Sequence, residues 1–172
     1  MRLQPRVTSA SSSVRRRILF AVTALIVFAL DQITKVLAES YLASGSIQVL
    51  GDFLRFTLAY NKGAAFSLGF GATWVLTLIS ALAVIALLYF GPKVKTYDWS
   101  LVAGFVLGGA AGNLIDRAFR QPELFNGHVV DFIQIPFNFP IFNLADTFLV
   151  IGVSLAVLRT ALGDEIGGGR AK

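Results

Sequence analysis

Four long apolar segments alternate with polar stretches along this chain. They cover about residues 18–38, 74–90, 99–119 and 141–158, and each approaches the roughly 20 residues that a helix needs to cross a bilayer. A backbone in lipid must satisfy its own hydrogen bonds, so helices are the form in which such segments cross a membrane. The pattern therefore predicts an all-α membrane protein with four transmembrane helices.

Composition supports this interpretation. Only 15% of the 172 residues are charged, against about 25% in soluble domains, and 55% are hydrophobic. The absence of cysteine excludes disulfides and thiolate nucleophiles, and the single histidine, His128, excludes a multi-histidine metal site within one chain. We therefore expect neither a metal nor a cofactor. Basic residues flanking the apolar segments explain the net charge of +5 better than nucleic-acid binding does.

The distribution of lysine and arginine predicts the orientation. Ten of the 15 fall on the side that holds both termini and the 91–98 connection. The five on the other side are Lys35, Arg55, Lys62, Arg117 and Arg120. The positive-inside rule places the richer side, and so both termini, in the cytoplasm.

The two ends of the chain are predicted to be tails. Residues 1–17, rich in Ser and Arg, are predicted to be disordered, and residues 161–172, rich in Gly, to be flexible, which leaves 18–160 as the membrane domain. A cleaved signal peptide is the competing interpretation of the basic run before the first apolar segment. No small-residue cleavage site ends that segment, which argues against it.

The connections on the extracytoplasmic side are the longer ones. Residues 47–60 are typical of strands, with Gly51-Asp52 as a turn, and predict a small β-cradle. Residues 120–140 contain three prolines and Asn126-Gly127, and they predict an irregular loop. Function usually lies where loops are elaborate, so we expect the functional site on the outer face.

Four aspartates abut or enter the apolar segments: Asp31, Asp116, Asp131 and Asp146. A carboxylate at membrane depth costs at least ~2.5 kcal/mol, so helix capping alone is a weak explanation for four of them. Asp31 lies roughly 20 Å along the outward-running first helix, and Asp146 roughly 8 Å into the inward-running fourth. Asp116 ends the third helix and Asp131 follows in an apolar part of the outer loop. All four are therefore predicted to converge on the outer leaflet.

The chemistry that these carboxylates favour is acid–base hydrolysis. Two carboxylates close together cannot both ionise, so one keeps a proton while the other can activate water, as in aspartic peptidases. The residues alone leave open which two aspartates meet. His128, three positions before Asp131, is either a group that tunes this aspartate or an ordinary loop histidine.

Five short motifs carry a family resemblance. They are Asp31-Gln32-Ile33-Thr34-Lys35, Asn61-Lys62-Gly63-Ala64-Ala65-Phe66, Gly112-Asn113-Leu114-Ile115-Asp116-Arg117, Val129-Val130-Asp131-Phe132 and Phe142-Asn143-Leu144-Ala145-Asp146. In this order they resemble the motifs of bacterial lipoprotein signal peptidases (signal peptidase II) over residues 18–160. The resemblance implies a multi-pass intramembrane aspartic endopeptidase of the bacterial cytoplasmic membrane. It would remove the signal peptide of diacylglyceryl-modified prolipoproteins just before the lipidated cysteine, and globomycin-like cyclic peptides would inhibit it.

The resemblance also implies roles for individual residues. The catalytic dyad would be Asp131 and Asp146, with Asp116 as the other candidate for a catalytic place. The residues that would bind the substrate backbone and orient the dyad are Asn61, Asn113, Arg117 and Asn143. The residues that would support the site are Asp31, Lys35, Gly63 and Asp116. The stretch 117–130 looks longer than is usual in the family, which leaves the conformation and gating role of loop 117–140 open.

Two other classes of function compete. A small cation- or proton-coupled carrier would also use intramembrane aspartates, but it needs sites near the midplane with access from both sides. The cytoplasmic halves of the four segments carry no ionisable groups, which argues against transport. A structural subunit would have no use for so many convergent carboxylates.

Overall fold

The computed structural model describes residues 8–63 and 73–168. The helices are α1 Thr8–Tyr41, α2 Thr73–Phe90, α3 Tyr97–Phe119 and α4 Leu144–Ala161, and the strands are β1 Ile47–Leu50, β2 Leu54–Asn61 and β3 Val129–Gln134. Each of the four helices is long and apolar enough to cross a membrane. The predicted four-helix membrane architecture is confirmed.

The first helix starts earlier than predicted. It begins at Thr8, so the prediction of a disordered tail is wrong for residues 8–17. Pro5 is the last helix-breaking residue before this stretch, and no Gly or Pro interrupts the chain from Thr8 to the end of α1. The Ser- and Arg-rich segment therefore continues the apolar helix without a break.

The third helix forms the centre of the bundle and is the most buried of the four. Its glycines at 104, 108 and 112 face α1, and a Cβ at Gly108 would lie 2.7 Å from the carbonyl oxygen of Ala24. Small residues at this spacing let two helix backbones approach closely. Apolar side chains on the other helices, including Leu25, Ile85 and Val150, point outward and are more than 60% exposed, as lipid-facing residues would be.

The three strands form one antiparallel sheet in the order β1-β2-β3. The turn between β1 and β2 contains Gly51, whose φ of 53° suits glycine. This hairpin confirms the predicted cradle. Residues 129–134, predicted to belong to an irregular loop, instead form β3, because they pair along β2 from Arg55 to Asn61. Phe132 packs with Ala38 and Leu42, which anchors the sheet on the end of α1.

Hydrogen bonds and ion pairs connect the helices at the end of the bundle away from the sheet. The Arg17 side chain donates to the carbonyl of Pro92 at 3.3 Å, and Arg159 pairs with Asp98 and Asp164 at 2.6 Å each. The backbone N–H of Lys95 donates to the carbonyl of Gly167 at 2.6 Å. These contacts hold residues 164–167, which were predicted to lie in a flexible tail.

Candidate active site

Asp131 and Asp146 approach each other from different elements. Asp131 lies in β3 and is 2% exposed, and Asp146 is the third residue of α4. Asn143 caps α4 through a reciprocal capping box, in which its side-chain oxygen accepts from the N–H of Asp146 at 2.9 Å. Its own backbone N–H donates to the Asp146 carboxylate at 3.3 Å. The helix start therefore fixes the position of Asp146.

Three asparagine amides donate hydrogen bonds to these two carboxylates. The Nδ2 atoms of Asn143 and Asn61 donate to the two oxygens of Asp131, at 2.6 and 2.9 Å. The Nδ2 atom of Asn113 donates to Asp146 at 2.7 Å. Because the side chain of Asn143 contacts Asp131 through its nitrogen and the backbone of Asp146 through its oxygen, one residue links both aspartates.

A hydrogen bond to its side-chain oxygen orients each of the three amides. The oxygen of Asn61 accepts from the N–H of Gly63 at 2.7 Å, and the oxygen of Asn113 accepts from the ammonium of Lys35 at 3.1 Å. An amide whose oxygen is held in this way must turn its NH₂ group to the other side. The oxygen of Asn143 is held by the start of α4, so all three NH₂ groups are directed at carboxylates.

A fully buried ion network lies behind the pair. The ammonium of Lys35 lies 2.8 Å from the carboxylates of Asp31 and Asp116, and none of the three side chains is exposed. Asp31 also accepts from the backbone N–H of Ala145 at 2.9 Å, and Asp116 from that of Val130 at 3.2 Å. The network thus ties α1 and α3 to the two elements that carry the aspartate pair.

Sequence reasoning missed three members of this network. Gln32 donates to Asp31 and Asp116, and Arg120 bridges Asp116 at 2.8 Å to Glu39 at 2.6 Å. For Arg120 the signal was present, because it follows Asp116 at i, i+4. Glu39 and Gln32 reach their partners on α3 across the helix packing, so no local spacing indicates these contacts.

Arg117 lies beside the pair with unused hydrogen-bonding capacity. Its charge acts on both Asp146 and Asp131, and one guanidinium nitrogen donates a long 3.5 Å bond to the carbonyl of Asn113. Its buried Nε has no hydrogen-bond partner within residues 8–63 and 73–168. A carbonyl of a bound peptide could supply that partner.

The environment of Asp131 favours the protonated carboxyl more than water does. Burial and the charge of Asp146 together raise its pKa to about 6, against the hydrogen bonds from Asn61 and Asn143 and the charge of Lys35. His128 does not contact Asp131 in the structure; its backbone N–H donates to Gln121, and its side chain lines a cavity described below.

The structure brings the remaining predicted site residues to the same region. Gly63 has a φ of 94°, which only glycine adopts without strain, and it directs the oxygen of Asn61. Residues 64–66 of the second motif lie outside the described residues. Within the described ranges, no three His, Asp or Glu side chains are grouped as a metal site would require.

Loop 120–128 closes the region on the side of α3. The N–H groups of Phe125 and Gly127 donate to carbonyls at the end of α3, at 3.1 and 2.9 Å. A Cβ at Gly127 would lie 2.7 Å from the carbonyl oxygen of Arg120, so glycine permits this approach. The predicted loop is therefore irregular but hydrogen-bonded to the helix that carries Asn113 and Arg117.

Comparisons with known proteins agree with one another. A sequence model of the family described as Signal peptidase (SPase) II matches residues 23–162. Lipoprotein signal peptidases of Leifsonia xyli and Mycobacterium leprae are 39% and 44% identical to the chain, over 99% and 92% of its length and 79% and 80% of theirs.

Solved structures add the fold. Two structures, each described as a bacterial membrane enzyme, match with a TM-score of 0.71 and with 32% and 30% identity. The matches cover 90% and 94% of this chain and 95% and 93% of those chains.

Proposed function

This chain belongs to the signal peptidase II family of bacterial membrane peptidases, and from that membership we propose that Asp131 and Asp146 are its catalytic dyad. Its function is the cleavage of prolipoprotein signal peptides, as in its relatives named lipoprotein signal peptidases. The proposed reaction is hydrolysis of the peptide bond just before the lipidated cysteine, by an aspartic mechanism.

The observation that carries the dyad assignment is the shared amide. Asn143 contacts Asp131 at 2.6 Å through its nitrogen and the backbone of Asp146 at 2.9 Å through its oxygen. The competing carboxylate, Asp116, is fully buried and paired with Lys35 and Arg120, so it has no free oxygen for substrate or water. Asp116 therefore fits a supporting role.

The two dyad members occupy different electrostatic environments. Asp146 lies in the first turn of α4, where the helix dipole favours an anion, and the charge of Arg117 acts on it. Asp131 lies in a strand and has a raised pKa of about 6. We therefore assign the ionised, water-activating role to Asp146 and the protonated role to Asp131.

The proposed steps balance protons between the two aspartates. Asp146 removes a proton from water, the water oxygen forms a bond to the scissile carbonyl carbon, and Asp131 donates its proton to the carbonyl oxygen. When the carbon–nitrogen bond breaks, the proton held by Asp146 passes to the leaving amine. One hydroxyl of the tetrahedral intermediate returns its proton to Asp131 as the new carboxyl group forms, so both aspartates regain their starting states. The Nε–H of Arg117, which has no partner among the described residues, is placed to donate a hydrogen bond to a substrate carbonyl.

The membrane placement follows from charge and depth. Both termini would lie in the cytoplasm because ten of the 15 basic residues fall on their side. The dyad would then lie near the outer leaflet, where the cleavage point of a signal peptide emerges from the bilayer. The three-stranded sheet would cover the substrate at this height.

The decisive experiment is cleavage of a diacylglyceryl-modified prolipoprotein by purified protein, followed by gel shift. Asp131→Asn and Asp146→Asn should each reduce the rate by about 10²–10⁴-fold, the usual contribution of a general acid or base. The control is Asp52→Asn, a carboxylate at the exposed β1–β2 turn, which should cleave normally. Wild-type cleavage by either dyad variant would overturn the assignment.

Inhibition offers a second check. Globomycin-like cyclic peptides should block cleavage, because they would compete with the substrate for the proposed dyad. Full activity at saturating inhibitor would count against a site of this kind.

A further inference from the structure

A second cavity lies beside the outer ends of α1 and α3. It has a volume of about 760 Å³, and the residues that matter to its chemistry are Glu39, Tyr60, Lys62, Phe119, Arg120 and His128. We call it the rim cavity. No step of the proposed hydrolysis uses it.

The rim cavity is on the opposite side of the β2–β3 pair from the dyad. Neighbouring residues of a strand point to opposite faces, and Tyr60 lines the cavity whereas Asn61 contacts Asp131. The same alternation separates His128, just before β3, from Asp131, three positions later. A peptide held at the dyad therefore does not fill this cavity.

Lys62 is the basic residue of the rim cavity that has no carboxylate partner among the described residues. All ten acidic side chains lie within residues 8–63 and 73–168, and none of them forms an ion pair with Lys62 there. Of the other basic residues on this side, Lys35, Arg55 and Arg120 have carboxylate partners, and Arg117 faces the dyad.

The cavity contains charged groups of both signs. Glu39 is held by Arg120 at 2.6 Å, and its charge acts on Tyr60. The pKa of His128 is lowered, first by burial and then by the charge of Lys62, so these two side chains lie near each other. Lys62 and His128 thus present an ammonium and an imidazole to the cavity, which is a donor set suited to an anion.

An apolar groove continues from the same place. It lies between α2 and α3, has a volume of about 520 Å³, and is lined by Trp74, Leu78, Leu114, Phe119 and Phe125. Phe119 lines both the groove and the rim cavity and is 68% exposed. The cationic cavity lies at the helix ends, and the apolar groove runs from it along α2 and α3. This arrangement matches a phospholipid, whose phosphate lies at the membrane surface and whose acyl chain lies in the hydrocarbon layer.

We propose that the rim cavity binds the phosphate of an anionic phospholipid at Lys62 and His128, with an acyl chain in the α2–α3 groove. The apolar groove favours a lipid over free inorganic phosphate. This site goes beyond the proposed function and is independent of it, because it is tested by binding and not by cleavage.

The single histidine makes the test direct. The protein is reconstituted, with labelled histidine, into nanodiscs of dioleoylphosphatidylcholine alone or mixed with dioleoylphosphatidylglycerol, and His128 is titrated by NMR. Bound phosphate should raise the titration midpoint of His128 in the mixed nanodiscs. Lys62→Gln should reduce that rise, whereas Lys95→Gln, an exposed cation at the other end of the bundle, should not.

Native mass spectrometry then measures the lipid directly. Wild-type protein should retain phosphatidylglycerol in preference to phosphatidylcholine, and Lys62→Gln should weaken retention by about fivefold, the usual effect of one cation near a membrane surface. An equal rise of the His128 midpoint in Lys62→Gln would indicate only the surface potential of the bilayer and would overturn the site.

Competition identifies the source of the phosphate. Displacement of phosphatidylglycerol by millimolar inorganic phosphate would assign the cavity to a soluble anion and overturn the lipid. Displacement by a synthetic diacylglyceryl lipopeptide, at concentrations where phosphatidylcholine has no effect, would assign it to substrate and equally overturn the proposal.

Discussion

Lys35 holds two carboxylates that have no access to water, and its replacement tests the energetics of the whole site. Lys35→Met keeps an unbranched side chain but removes the ammonium that lies 2.8 Å from both Asp31 and Asp116. Removing one partner of a buried ion pair typically costs about 3–5 kcal/mol, because a charge stays buried without compensation. That is a large part of a total stability of about 5–15 kcal/mol.

The expected loss is measurable as a shift in unfolding temperature. For a chain of this size 1 kcal/mol corresponds to about 2–4 °C, so Lys35→Met should lower Tm by about 6–20 °C. The assay is thermal unfolding in detergent micelles, followed by fluorescence of the two tryptophans. Lys95→Met, at an exposed position, is the matched control and should change stability by no more than about 0.5 kcal/mol.

A double variant separates the charge effect from the loss of packing. Lys35→Met with Asp31→Asn removes the cation together with the carboxylate whose only ion pair among the described residues is with Lys35, so it should be more stable than Lys35→Met alone. The coupling between the two changes should fall within about 0.5–3 kcal/mol. A Tm for Lys35→Met within about 2 °C of the wild type, or strictly additive effects, would refute the buried-pair reasoning.

Three further predictions follow from the site and the bundle. The pKa of Asp131 is about 6 and its protonated form is the proposed acid, so kcat/KM should fall as pH rises through about 6. Asn61→Leu removes a hydrogen bond that lowers this pKa, so in a pH–rate profile the fall of kcat/KM should move to higher pH. Arg117→Lys should lower kcat/KM while leaving Tm near the wild-type value, since the lost guanidinium contact is with substrate. Gly108→Ala places a Cβ 2.7 Å from the carbonyl oxygen of Ala24 and should destabilise the bundle by about 1–3 kcal/mol in the same thermal assay.

The helices and the gathering of aspartates were predictable because both depend on local sequence. Apolar length defines each span, and 1.5 Å per residue places Asp31 and Asp146 at similar depths. The third strand was not predictable in the same way, because its partner lies about 70 residues away along the chain. Asn61 and Asp131, whose side chains meet at 2.9 Å, are separated by 70 positions.

The choice of two aspartates out of four depends on side-chain geometry. Asp31 and Asp116 lie on helices near the same depth as the proposed dyad, and what distinguishes them is the ammonium of Lys35 between them. The i, i+4 spacing of Asp31 and Lys35 permits their contact on one helix face, but Asp116 lies on another helix. Only the packing of α1 against α3 brings the second carboxylate to the same cation, and that packing depends on the glycines of α3.

Charge balance around the dyad leads to a last prediction. The carboxylates of the region are those of Asp31, Glu39, Asp116, Asp131 and Asp146, and the cations are Lys35, Lys62, Arg117 and Arg120. Five acids against four bases leave an excess of one negative charge, which one proton on the proposed dyad neutralises. The charge of Lys35 lowers the pKa of Asp131 even though Lys35 contacts Asn113 and not Asp131 itself.

Lys35→Met should therefore move the fall of kcat/KM to higher pH, because the more negative site holds the proton on Asp131 more tightly. Adding Asp116→Asn restores the charge balance and should return the fall towards its wild-type position. The measurement is a pH–rate profile taken well below the Tm of each variant. Damage to the fold alone would lower the rate at every pH without moving the profile, so an unmoved profile in a folded Lys35→Met protein would show that Lys35 does not act on the dyad.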